Sequence, residues 1–168
     1  MSKIHLEPIN DDNFYAITLL RVSKEQKNFV ANNTYSLVHA YLNVINNKPV
    51  FPFGIFCDDK PVGFIMIAYD NLSEKVKDNP HCNWFICNNY MIWRLMIDKK
   101  YQGNGYAKEA MNLALDFIRT LPCGKAEYCW LSYDIKNSTA RSLYRSFGFE
   151  EVPEAYYEGG EMPAILKL

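Results

Sequence analysis

The sequence predicts an α/β fold: a mixed β-sheet of about seven strands with helices on both faces. Three observations lead to it. Residues 90–121 read as strand, glycine loop and helix. An apolar run of strand length, broken only by Arg94, leads to a tight loop with Gly103 and Gly105. Ala110, Met111, Ala114, Leu115, Phe117 and Ile118 then follow at helical spacing. Upstream, apolar runs at 53–57 and 62–69 flank the turn Asp58-Asp59-Lys60-Pro61, which is the pattern of a hairpin. Downstream, an apolar run at 128–133 precedes a helical pattern starting at Asn137. The full order, β, α, α, β, β, β, α, β, α, β, β, needs strands of both directions in one sheet.

Residues 3–7 alternate and read as the first strand. Asp11 or Asp12 offers a cap for a helix over 14–20. Ser23 and Gln26 have capping-box spacing for a second helix. Leu37, Val38, Tyr41 and Leu42 mark a further helical piece within 32–47. Pro49 and Pro52 bracket the approach to the hairpin. Residues 71–89 form a polar insertion with an aromatic patch at Trp84 and Phe85, read as a loop over the site or a hairpin extension. The segment 121–124, Leu-Pro-Cys-Gly, stops the central helix. Ala140, Leu143, Tyr144 and Phe147 share one face of the last helix, which Gly148 ends. The tail gives two short strands around Gly159 and Gly160.

Composition bounds the rest. At 168 residues, 49% apolar and 22% charged, the chain reads as one globular domain over its whole length. A net charge of −1 gives no reason to expect a nucleic-acid or membrane partner. The N-terminus has no apolar signal core, and the longest apolar run is too short for a bilayer, so a cytoplasmic protein is expected. Five cysteines, an odd count without Cys-x-x-Cys spacing, fit reduced thiols. His81, Cys82 and Cys87 lack a fourth ligand and regular spacing, so no metal is expected.

The glycine loop carries the chemistry. A helix start leaves backbone N–H groups without partners, and glycines let a ligand approach the backbone, so together they cradle phosphates. Lys99, Lys100 and Lys108 add positive charge. A dinucleotide fingerprint needs a third glycine where Lys108 stands, and a P-loop needs Gly-Lys-Ser/Thr where Gly105-Tyr106-Ala107 stands. What fits is Gln-x-x-Gly-x-Ala at Gln102, Gly105 and Ala107. Downstream, Asn137, Ala140, Leu143, Tyr144, Gly148 and Phe149 fit Asn-x-x-Ala-x-x-Leu-Tyr-x-x-x-Gly-Phe.

These two motifs, in this order, resemble those of the GNAT N-acetyltransferase superfamily. The resemblance covers roughly residues 53–168, and the overall pattern is similar to bacterial spermine/spermidine acetyltransferases. It implies a GNAT-like sheet splayed between its fourth and fifth strands, with acetyl-CoA (coenzyme A) as co-substrate in the opening. It implies that backbone groups of Leu95, Met96 and Ile97 meet the pantetheine arm. The amides of Gln102, Gly103, Asn104, Gly105, Tyr106, Ala107 and Lys108 are then expected to hold the pyrophosphate. Asn137 matches a coenzyme-contacting residue and is equally a helix N-cap. Tyr144 matches the proton donor to the departing thiolate, and also reads as a half-buried core aromatic.

The resemblance implies an N-acetyltransferase acting on the primary amine of a small molecule, with a homodimer among its expected assemblies. Related polyamine enzymes carry an acid where this chain has Trp93. The base is therefore left open among Glu127, Asp134 and a tail glutamate. Glu150, Glu151, Glu154, Glu158 and Glu161 fall in a stretch without Lys or Arg, beside Tyr156 and Tyr157. Carboxylates with aromatics suit a cationic amine such as spermidine or spermine, and a solvated hairpin equally explains them. Glu25, Trp93, Glu158 and Glu161 are the expected acceptor residues. A non-catalytic acyl-CoA-binding module and a protein N-terminal or lysine acetyltransferase are the alternatives.

Overall fold

The computed structural model describes residues 3–70, 84–156 and 160–168. Among them are seven strands and four helices: β1 (Ile4–Pro8), α1 (Phe14–Leu19), α2 (Asn33–Ile45), β2 (Val50–Cys57), β3 (Lys60–Tyr69), β4 (Tyr90–Ile97), α3 (Tyr106–Arg119), β5 (Tyr128–Tyr133), α4 (Ser138–Ser146), β6 (Glu150–Glu151) and β7 (Met162–Lys167). A 3-10 turn covers Pro153–Ala155. The strands form one open sheet in the order β1-β2-β3-β4-β5-β7-β6. Every neighbouring pair is antiparallel except β4 with β5, which run parallel.

Strand β4 is irregular on both of its edges. Its pairing with β5 is confined to Tyr90 with Cys129 and Met91 with Trp130, so the two strands part beyond Met91. On the other side, Met66 of β3 pairs Arg94 while Ile67 pairs Ile92, which leaves Trp93 as an extra, bulged residue. The bulge puts Trp93 and Arg94 consecutively toward one face instead of alternating.

The two faces of the sheet are buried by different helices. Ile65 and Ile67 of β3, with Tyr90 and Ile92 of β4, pack against Ala110, Met111, Ala114 and Ile118 of α3 and Tyr144 of α4. Phe64, Met66 and Ala68 of β3 point the other way and pack with Ile17 of α1 and Ala40 of α2. A strand covered on both faces needs a continuous apolar run, which is how β3 reads. Cys129 fills a fully buried place beside α3, as its strand position predicts.

Several local expectations change. Residues 24–29 form consecutive turns and not a helix. The Gln26 side chain does accept from the Ser23 N–H at 3.2 Å, but no apolar stripe follows to make a longer helix worthwhile. Asp11 and Asp12 do not cap α1. Its N-cap is Asn13, and Asn10 takes the Asp12 and Asn13 amides at 2.9 and 3.1 Å. On α2, Val38, Tyr41 and Leu42 are exposed, while Asn33, Ser36 and Ala40 are buried. Residues 71–83, with His81 and Cys82, lie outside the described residues. The described end of that insertion is a turn that packs Phe85 on Trp130, ring centroids 5.8 Å apart. Cys57, Cys123 and Cys129 are free thiols. No helix among the described residues is long and apolar enough to cross a membrane.

Candidate active site

The parting of β4 from β5 opens a cleft of about 500 Å³. One wall is β4 from Met91 to Ile97. The opposite wall is Ser132 and Tyr133 of β5 with Asn137, Ala140, Leu143 and Tyr144 of α4. The glycine loop and the start of α3 close one end, and residues 28–31 approach from the α1–α2 connection. Of the residues expected at the coenzyme, Leu95, Met96, Ile97, Gln102, Gly103, Gly105, Tyr106, Ala107, Asn137 and Tyr144 all line it. The other two do not. Asn104 turns its side chain back to the Tyr101 carbonyl at 2.9 Å, and Lys108 stands exposed on α3.

The glycine loop is built as an anion cradle. Gly103 and Gly105 have φ of +83° and +80°, a region open to glycine and strained for other residues. A Cβ at either position meets nothing within 4 Å, so both face open space. The amides of Gly105, Tyr106 and Ala107 donate to no acceptor among the described residues. The first internal bond of α3 runs from the Lys108 N–H to the Gly105 carbonyl at 2.9 Å. Free amides, space and the positive end of a helix are what a pyrophosphate needs. The residues present therefore fit the phosphate end of a coenzyme.

Side chains fix the loop in place. Gln102 donates to the Ile97 carbonyl and to Gln26 Oε1, both at 2.9 Å, tying the loop to the end of β4 and to the 24–29 turns. Asp98 is buried; it accepts from the Lys100 N–H at 2.9 Å and the Arg21 N–H at 2.8 Å. Neither sequence motif marks Asp98, although an aspartate at a strand end with its own turn two residues on is a recognisable Asx turn.

The sequence pattern of the acetyltransferase (GNAT) family matches residues 19–149. The chain belongs to that family. Its fold is also that of solved GNAT proteins. The paia N-acetyltransferase of Thermoplasma acidophilum, in complex with coenzyme A, superposes with a TM-score of 0.66 at 15% identity, over 99% of both chains. The spermidine N-acetyltransferase of Vibrio cholerae, in complex with coenzyme A and spermine, gives 0.67 at 18% identity, over 98% of this chain and 94% of that one. A probable spermine N(1)-acetyltransferase of Bacillus subtilis subsp. natto (strain BEST195) is 30% identical over 93% of each chain. As a GNAT enzyme the protein is an acetyl-CoA-dependent N-acetyltransferase.

On the α4 wall of this GNAT cleft, Tyr144 is buried against Tyr133 and Phe149, with centroids 5.6 and 6.0 Å away. Burial pushes its phenol well above the ordinary tyrosine value, and Glu161 and Tyr133 add to the rise. Tyr133 is itself pushed up to about 12, by burial and by its hydrogen bond to Glu151. Arg141 clamps Glu151 with two bonds of 2.6 and 2.8 Å, so the ring beneath Tyr144 is held from behind. Asn137 Oδ1 accepts from the Ala140 N–H at 3.1 Å and caps α4.

The acceptor residues divide. Trp93 and Glu161 line the cleft, and Glu161 accepts from the Ser132 hydroxyl. Glu25 lies on the exposed 24–29 turns outside the lining, its carboxyl held below the usual range by its backbone and Ser23 hydrogen bonds. Glu158 and Tyr157 lie outside the described residues. Of the bases left open, neither Glu127 nor Asp134 reaches the lining. Arg94 does, although in the sequence it reads only as an interruption of an apolar strand.

Proposed function

We propose that the protein transfers acetyl from acetyl-CoA directly to the primary amine of a small molecule, with Tyr144 as the acid. One observation carries this reading: Tyr144 and the glycine loop, whose amides are left without acceptors among the described residues, line the same cleft where β4 parts from β5. The amides of Gly105, Tyr106 and Ala107 hold the pyrophosphate. Backbone groups of Leu95, Met96 and Ile97, no longer paired with β5, meet the pantetheine arm, and Asn137 borders it. Acetyl-CoA supplies an activated thioester whose C–S bond breaks as the amine nitrogen bonds to the carbonyl carbon. Tyr144 gives its proton to the departing sulfur. Glu161, directly or through water, takes the proton the amine loses.

No described cysteine lines the cleft, and burial pushes the Cys123 and Cys129 thiols up, away from the reactive thiolate form. This favours direct transfer. Polyamines are one acceptor class, supported by the names of the Bacillus subtilis relatives and by the presence of both Glu161 and Trp93 in the cleft lining. Free thiol released from acetyl-CoA, followed over a panel of small amines and a lysine peptide, tests the reading. Turnover is expected with small primary amines; turnover with the peptide alone, or with nothing, rejects it.

We place the enzyme in the cytoplasm as a homodimer joined through α1 and α2. Neither helix carries an Asp, Glu, Lys or Arg. Yet Phe14, Tyr15 and Leu19 of α1 and Tyr41, Val44 and Ile45 of α2 are exposed. Side chains of this size, half exposed, approach the scale of about 800 Å² that each partner buries in a standard interface. Sedimentation is expected to show a dimer that Tyr41→Asp with Val44→Asp converts to monomer. A monomeric parent protein removes the assignment.

A further inference from the structure

Two charged side chains line the cleft among the described residues, and they have opposite sign: Arg94 and Glu161. A polyamine carries two or more positive charges. It would find one carboxylate here and one guanidinium facing it. Arg94 is not a solvated surface cation. The β4 bulge turns it to the α1–α2 side of the sheet, opposite Met66, and its guanidinium lies 5.1 Å from the centre of the Trp93 ring. Trp93 stacks in turn on His39 at 5.4 Å, and His39 packs on Tyr35 at 4.3 Å. An aromatic column thus holds the cation in one place.

Its hydrogen bonding is incomplete. One terminal nitrogen donates to the Trp93 carbonyl at 2.8 Å. Among the described residues the buried Nε–H has no acceptor, and no carboxylate forms an ion pair with the guanidinium. A guanidinium has five donors, and a partly buried cation without a counter-ion is costly. Burial accordingly holds Arg94 below the ordinary arginine value, offset only in part by the field of Glu161. The coenzyme phosphates do not complete the pair. Their cradle begins beyond Ile97, about 10 Å along the strand from Arg94, and is already furnished with free amides.

We infer that Arg94 is a specificity residue that binds an anionic group of the acceptor, so that the enzyme acetylates an amine bearing a carboxylate. Glu161 faces the ammonium end and Arg94 the acid end. The guanidinium fork suits a carboxylate in a way a point charge does not. The inference rests on the acetyl-transfer reading and competes with polyamines as acceptors. It also accounts for Trp93 in place of an acid: at this site the ring serves as a platform for the neighbouring cation.

The test pairs ω-amino acids of increasing length with their amides, and sets spermidine beside them. The best amino acid is expected to exceed its amide in kcat/KM by about 10- to 100-fold, the range of a charge-assisted hydrogen bond. Most of that difference should lie in KM. In Arg94→Met, which keeps an apolar stem over Trp93, the ratio should fall to near one. Arg94→Lys should give an intermediate ratio. Spermidine preferred over every amino acid, or a ratio that survives Arg94→Met, overturns the inference. So does an equal fall in kcat on all acceptors, which would mark Arg94 as acting on the thioester oxygen. Calorimetry of the same pairs on the coenzyme A-bound protein separates the two readings. Turnover without carboxylate preference leaves acetyl transfer standing and removes the inference. Carboxylate binding that depends on Arg94 without turnover does the reverse.

Discussion

Gly105→Val is expected to abolish binding of coenzyme A while leaving a folded protein. Gly105 is the residue from which α3 starts, with φ of +80° and ψ of −2°. A β-branched side chain there carries two penalties. The left-handed backbone costs about 1–2 kcal/mol for a residue with a Cβ, which lowers stability without unfolding a domain of ordinary stability. The second penalty falls on the ligand. A Cβ at this position meets nothing within 4 Å, so the new side chain projects into open space at the mouth of the amide cradle. That space is where a phosphate must approach the Gly105, Tyr106 and Ala107 N–H groups. Gly103→Ala, with φ of +83° and the same open surroundings, should weaken binding less. Titration calorimetry beside a thermal melt separates the two penalties: a cooperative melt with no binding heat is the expected result. Unchanged affinity in folded Gly105→Val would take the phosphates away from this loop.

The parts of this architecture that depend on local pattern were legible in the sequence. β4 and β5 have the expected boundaries, because each is an apolar run enclosed by turn residues. The motif residues of the loop and of α4 converge on one cleft because they close the two strands that part. What the sequence hid is set by the third dimension. The bulge at Trp93 depends on how β3 pairs across, with Met66 on Arg94 and Ile67 on Ile92, and no local signal announces it. Without the bulge, strand alternation would send Trp93 and Arg94 to opposite faces, so the cation in the cleft was invisible. The 24–29 segment misled for a related reason. Gln26 does fold back to Ser23, but its side chain also receives Gln102 from far along the chain. A short polar segment with capping-box spacing is recruited to brace the loop, and helix propensity is overridden. Glu25, exposed on the same turns, loses the place a helix would have given it.

Tyr144→Phe should lower kcat by about 10²- to 10⁴-fold, the usual worth of a general acid, with little change in coenzyme A affinity. The hydroxyl matters when sulfur gains negative charge, so its loss belongs to the transition state and not to ground-state binding. A free thiol has pKa about 8.5 and a phenol about 10, so in water a tyrosine is a modest donor to a thiolate. In this cleft burial raises the Tyr144 phenol, and the same exclusion of water raises the basicity of a sulfur departing beside it. The raised value also fixes the pH behaviour. The acid form of Tyr144 persists through neutrality and beyond the ordinary tyrosine range, so it contributes no falling limb to the rate profile below about pH 10. The ring remains in the variant and keeps its ring contacts with Tyr133 and Phe149. The melting temperature should therefore barely move. An assay in which chemistry limits the rate decides the matter. Near-full turnover by the phenylalanine variant would leave Tyr144 as a packing residue of α4 and pass the proton to water.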